Sequence, residues 1–220
     1  AWACKLKQVT CIAMSHQYAL HHKVPRPKYA PSIFNWILRN YAPVNTGIGF
    51  HFKRYAPNIF YPIIRDSVRK QEITSTNTYT VYLPALSDNF ICSILTKIPK
   101  IQWEVFSKHC LKSYLLQNIL VKPLCDSKFQ ESMAKSSGIL CGAGFETPAE
   151  ALFLKKKLLV IPMRYQPEQY YNAAALAELG VTVIPRLSKK YLSDICTWID
   201  KSKTISISSV SYKHIRSHET

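Results

Sequence analysis

Two short runs in the middle of the chain hold the residue types that can do chemistry. In the first, residues 138–141 form an apolar run of the kind that makes a buried strand, and Gly142, Ala143 and Gly144 follow at once. Such glycines let a backbone turn tightly and approach a ligand without side-chain obstruction. Thr147 and Pro148 then start a helix: threonine is a good N-cap, and proline is tolerated in a first turn whose N–H groups are unpaired. Those free N–H groups, with the positive end of the helix dipole, suit an anion such as a phosphate. Glu150 falls in the same first turn. The second run puts Glu168, Gln169 and Asn172 at the start of the next helix, after an apolar strand at 158–161. Both runs lie just beyond the C-terminal ends of strands, where open α/β sheets bind ligands.

The surrounding pattern supplies elements to hold them. Strands are expected at 48–52, 79–83, 102–106, 119–122, 138–141, 158–161 and 182–184, and helices at 87–97, 126–135, 148–154, 168–179 and 190–199. The strands are apolar without alternation, and helices separate them. That combination argues for an α/β domain, a Rossmann-like parallel sheet with helices on both faces. Ahead of it, residues 1–16 read as a helix end followed by a strand. Pro25, Pro27 and Pro31 then resist regular structure until an amphipathic stretch at 32–41. The chain divides accordingly into residues 1–45, a main domain at 46–200, and a Ser/Lys-rich tail at 201–220 that is expected to be poorly ordered.

A chain of 220 residues can hold one good-sized α/β core, or one domain and part of another. It begins at Ala1 inside an already structured pattern, which reads as a piece of a longer protein. No apolar run reaches the length of a membrane span, and no signal-peptide pattern is visible. The seven cysteines are scattered, odd in number and free of CxxC spacing, which fits reduced thiols in a cytoplasmic protein better than a disulfide frame or zinc site. The neighbouring His21 and His22 lack further ligands for a metal. The net charge of +16 is uneven: residues 1–70 hold eleven Lys or Arg against one acid, Asp66, whereas the other 150 hold eighteen against twelve. Aromatic residues, among them Trp36, Tyr41, Phe52 and Phe60, interleave with the basic ones. Such a surface suits an anionic membrane or a phosphorylated acceptor; nucleic acid ranks last, since no RNA- or DNA-binding signature is present.

Written as motifs, the two runs are GxGFxTxxEAL and VIPxxxQxEQxxNA, with Gly180 ending the second helix. This pattern resembles the donor-binding half of GT-B glycosyltransferases, such as the peptidoglycan lipid glycosyltransferase and the UDP-glycosyltransferases. The motifs cover about a fifth of the chain, and the order of strands and helices matches from roughly residue 46 onward. The resemblance implies inverting hexosyl transfer from a nucleotide-diphosphate sugar, with uridine as the implied nucleoside. It gives the diphosphate to Thr147 and the backbone around Gly142 and Gly144, with Ser87 adding a hydroxyl. It gives the ribose diol to Glu150, whose two oxygens can accept from vicinal hydroxyls. Glu168 and Gln169 would take the sugar ring, Asn172 would organise the loop, and Leu124 would grip the base through its backbone. Each also has an ordinary structural role open to it: Ser87 as a helix cap, Glu150 and Glu168 as complements to a helix dipole, Gly142 and Gly144 as a plain turn.

The chain departs from the UDP-glycosyltransferases in having Gly142 where they place a phosphate-binding His, which leaves Arg164 or Lys122 to supply positive charge. The family's base belongs to the acceptor domain, so the resemblance implies that it lies outside this chain. His16 is the only nearby candidate and reads as a structural residue. Residues 1–45 would be a remnant of the acceptor domain and the interdomain connector. No cofactor or metal is implied, and no DxD motif is present. The implied partners are the donor and a missing acceptor domain or separate acceptor subunit, so that the fragment alone is inactive. The implied place is the cytoplasm, peripheral to the inner face of a membrane. Two rivals remain beside a transferase: a non-catalytic donor-binding subunit of a two-chain enzyme, and a nucleotide-sugar epimerase.

Overall fold

The computed structural model describes residues 1–27, 36, 40 and 43–207, organised by two sheets. The smaller has three parallel strands in sequence order: β1 (Ile12–Ser15), β2 (Thr46–Phe50) and β3 (Ile59–Phe60). Helix α1 (Trp2–Leu6) precedes β1, and α2 (His16–Ala19) follows it directly, with the Ser15 hydroxyl accepting from the Tyr18 amide. Helix α2 lies close on β2: a Cβ on Gly49 would come within 2.9 Å of the Ala19 backbone nitrogen. The opposite face of this sheet presents Ile12, Met14, Ile48 and Phe60, all exposed.

The strand expected at 48–52 thus forms at Thr46–Phe50 and joins β1, so the boundary drawn at residue 46 cuts through the smaller sheet. A local pattern says that a strand forms; long-range pairing decides which sheet takes it.

The larger sheet contains β4 (Thr78–Tyr82), β5 (Gln102–Ser107), β6 (Tyr114–Leu116), β7 (Ile119–Pro123), β8 (Gly138–Gly142), β9 (Lys157–Ile161) and β10 (Thr182–Val183). Their order is β10-β9-β8-β4-β5-β7-β6, parallel throughout except for the edge strand β6. Strand β6 was not expected. Its three residues are exposed, and the turn into β7 uses Gln117 at φ 54° in place of a glycine.

Helices α3 (Asp66–Arg69), α4 (Asp88–Leu95), α5 (Asp126–Lys135), α6 (Glu146–Phe153), α7 (Pro167–Glu178) and α8 (Leu192–Lys201) complete the fold. One layer packs Val81, Trp103, Val105 and Leu159 against Ile91 and Leu95 of α4 and Ile195 and Trp198 of α8. The other packs Phe106, Ile139, Cys141 and Val160 against Met133 of α5, Leu152 of α6 and Leu176 of α7. Adjacent strand residues therefore feed opposite layers, and this is why the strands read as unbroken apolar runs.

Part of the expected tail is ordered structure: Lys201 ends α8, and Ile205 and Ile207 pack on the second layer. Residues 208–220 lie outside the described residues. Of the stretch at 32–41, Trp36 and Asn40 are described, both helical, with the Asn40 amide donating to the Trp36 carbonyl at 2.7 Å; the rest, with Pro31 and Tyr41, lies outside. All seven cysteines are free thiols. Among the described residues, no helix is long and apolar enough to cross a membrane.

Candidate functional site

The strand order reverses between β4 and β8: from β4 the chain winds outward to β5 and β7, and then returns to build β8, β9 and β10 on the other side. Loops leaving the C-terminal ends of strands diverge at such a point and open a crevice. Here it measures about 400 Å³ and is lined by Leu86, Gly142, Met163, Arg164 and Arg186 among others. Its walls are mostly apolar, with two guanidinium groups among them; Arg186 carried no sequence signal. A second cavity of about 520 Å³ lies beside α5, around Lys122, Lys128 and Glu131, with none of the motif residues in its walls.

Gly142 ends β8, and Gly144 lies in the turn into α6. Neither has positive φ. A Cβ on Gly142 would rest 3.5 Å from Gln169 Oε1, and one on Gly144 would meet nothing within 4 Å. The turn itself therefore does not demand glycine at either position; what glycine provides at Gly144 is bare backbone facing open space. Helix α6 starts at Glu146, one residue before the expected cap, so Thr147 lies inside the first turn and caps nothing. Phe145 occupies the cap position because its ring is held by tertiary contacts, stacked on His16 at 4.7 Å and tilted against Phe52 at 5.2 Å. No side chain caps α6, and its leading amides stay available.

The second motif braces the first. Asn172 is fully buried, and its amide donates to the Ala143 carbonyl at 3.2 Å, tying α7 to the glycine turn. Gln169 accepts from the Met163 amide at 2.9 Å and donates to Gln166 Oε1 at 3.1 Å, so it spans the β9–α7 loop from both sides. Glu168 reaches across to the smaller sheet. Its Oε1 lies 2.7 Å from His16 Nε2, and its Oε2 accepts from Gln17 Nε2 at 2.9 Å. The hydrogen bond from His16 is the main cause that holds the Glu168 carboxyl below its ordinary value. These partners stand 152 and 151 residues apart, beyond any sequence signal. Behind Phe145, His51 is fully buried, and burial, reinforced by the charge of His16, pushes it down to about 4. Its Nδ1 accepts from the Phe52 amide, and Nε2 has no partner among the described residues.

Glu150 is 3% exposed and bound by Arg65 in a two-point fork, Nε to Oε1 at 2.7 Å and Nη2 to Oε2 at 2.9 Å. Sequence reasoning passed over Arg65, a single arginine 85 residues from its partner. Ser87 caps α4 by accepting from the Phe90 amide at 3.4 Å. The Leu124 amide is already donated to the Ser107 carbonyl, so only its carbonyl side remains for a ligand. Lys122 pairs with Glu104 at 2.9 Å, whereas Arg164 lines the crevice.

Residues 14–199 match the model of glycosyl transferase family 1. The chain belongs to that family. No curated protein matches it. Among solved structures it is similar to MurG from Acinetobacter baumannii (TM-score 0.56, 14% identity, 90% of this chain and 60% of that one). It is also similar to the glycosyltransferase SnogD from Streptomyces nogalater (TM-score 0.50, 11% identity, 91% of this chain and 67% of that one). At these identities the likeness concerns the fold, which is GT-B, and this chain spans only 60% and 67% of the two neighbours' lengths.

Proposed function

We propose that this glycosyltransferase chain binds a nucleotide-diphosphate sugar, UDP-linked, for inverting hexosyl transfer. The observation that carries the reading is the open space over Gly144 beside the uncapped amides of α6, braced by Asn172 through Ala143. Bare backbone and a helix N-terminus suit a diphosphate, both as ground-state ligand and as departing group. In this reading Gly142, Gly144, Thr147 and Ser87 hold the diphosphate, and Arg164 and Arg186, which line the crevice with Gly142, add cationic charge. Gln169 and Glu168 stand one βα unit further on, where the sugar would follow. Leu124 offers its carbonyl to the base.

Transfer also needs a base on the acceptor hydroxyl and an acceptor held in line. The partner that would supply these is an acceptor-binding half, and it fits the bare apolar face of Ile12, Met14, Ile48 and Phe60. A parallel sheet is ordinarily covered on both sides. Without that half, residues 1–220 should bind donor and transfer little. Orientation alone accounts for roughly 7–11 kcal/mol in well-aligned systems.

Calorimetry of the full chain against UDP, dTDP and their sugar conjugates tests the reading. Conjugates should bind more tightly than the bare diphosphates. A chain that binds none of them sinks it, and a chain that converts the sugar of the bound nucleotide without any acceptor is an epimerase instead.

A further inference from the structure

The donor leaves most of the crevice of about 400 Å³ unused. Among the residues given to the diphosphate, ribose, sugar and base, only Gly142 lines it; Thr147, Glu150, Glu168 and Gln169 do not. Its apolar walls include Leu86 and Phe90 around the start of α4, Met163 after β9, and Leu187 beyond β10. Arg164 and Arg186 are the only charged or hydrogen-bonding side chains in those walls. Both are exposed, and neither has a hydrogen-bond or ion-pair partner among the described residues. Arg164 is carried by a fixed turn. Tyr165 after it takes φ 61°, which bulky residues adopt rarely, and Gln169 braces the turn by accepting from the Met163 amide at 2.9 Å.

These walls select a ligand. A hexose ring needs acceptors as well as donors for its hydroxyls, and guanidinium groups only donate. A phosphate is well served by bare amides at a helix start, but Ser87 already takes up the Phe90 amide of α4, the helix bordering the crevice. An apolar body that ends in a carboxylate meets both conditions: the walls take the body, and the planar head matches the donor fork of a guanidinium. No acid lines the crevice to oppose that charge.

We propose that this crevice is an acceptor subsite and that it takes an apolar carboxylate, held by Arg164 and Arg186. Its volume falls among small-molecule sites, which run to roughly 300–1,000 Å³. A molecule seated beside Gly142 stands next to the turn proposed for the diphosphate, where an acceptor has to come. The acceptor role rests on the donor reading above; the ligand class rests on the crevice walls alone.

The test is calorimetry of the full chain with naphthoate as the probe, beside naphthamide, acetate and naphthyl phosphate. Naphthoate should bind roughly tenfold more tightly than naphthamide, which lacks the charge, or acetate, which lacks the apolar body. Arg186→Gln should weaken naphthoate roughly 10- to 100-fold, as for a lost bond to a charged group, and leave naphthamide within about twofold. Phe90→Ala should weaken naphthoate and naphthamide alike, roughly three- to tenfold. It should leave UDP unchanged, because only the backbone amide of Phe90 meets a residue proposed for the donor. Naphthoate should also bind the chain saturated with UDP. Equal affinity for naphthoate and naphthamide, tighter binding of naphthyl phosphate, or indifference to Arg186→Gln overturns the ligand class. Displacement of naphthoate by UDP overturns the acceptor role. A wild type that binds naphthoate but neither UDP nor dTDP overturns the donor reading and leaves the carboxylate site standing, whereas one that binds UDP but not naphthoate overturns this inference only.

Discussion

Glu150, past the first turn of α6 where it was expected, and Glu168, in the first turn of α7, stand in consecutive βα units, yet the chain surrounds them differently. Glu150 is 3% exposed and held by a guanidinium through two matched bonds, while Glu168 keeps 29% of its side chain in solvent and shares its oxygens between an imidazole and an amide. A buried carboxylate is costly unless a permanent cation neutralises it, so its partner must be arginine or lysine in a fixed pose. A half-exposed carboxylate remains solvated in part and tolerates a partner that titrates. The Glu150 corner is therefore a rigid fixture beside the larger sheet. The Glu168 corner joins the two sheets through His16 and can adjust.

The contrast can be broken most sharply by deleting each partner. Arg65→Ala strands a buried carboxylate and should cost about 3 kcal/mol by urea unfolding. A cost below about 1 kcal/mol would make the two corners alike. His51 gives the next effect. Its folded-state value of about 4 lies below its ordinary 6.5, so between these the unfolded chain binds the extra proton. Stability should fall as pH drops through that window, by at most about 3 kcal/mol, and His51→Gln should flatten the slope. A slope that survives the substitution belongs to another group.

His16→Ala removes one hydrogen bond from a partly solvated carboxylate and should cost about 1 kcal/mol. Because His16 holds the Glu168 carboxyl low, that pair contributes stability which is present above the ordinary value of 4.5 and lost as pH falls through the depressed one. Carboxyl titration followed by NMR should show Glu168 moving upward in His16→Ala. The smallest effect on the fold and the most specific on function is expected from Gly144→Ala. Its new methyl meets no atom, so the unfolding free energy should change by less than about 0.5 kcal/mol. Affinity for UDP should nevertheless fall, since the methyl enters the space proposed for the diphosphate; unchanged affinity would place the diphosphate elsewhere.

Much of the larger domain was legible because its cues are local. Helix α5 forms over residues 126–135 as its amphipathic pattern predicts, and β5, β7 and β9 begin within one residue of expectation. The edge strand β6 escaped notice because it buries nothing, and a pattern of burial is what betrays a strand. Thr147 looked like a cap because it is a good one in isolation; the stacking of Phe145 on His16 moved the helix start by two residues.

By itself, then, the sequence determined the parallel sheet, its two helical layers and the motif residues that gather beyond β8 and β9. Apolar periodicity, glycines and turn prolines act over a few residues, and a single chain displays them in order. Tertiary structure alone decided the partners. Arg65 meets Glu150 across 85 residues, His16 meets Glu168 across 152, and β2 leaves the large sheet for β1. Charge pairing and strand pairing depend on distance in space, and a residue type carries no record of which distant group will neutralise it.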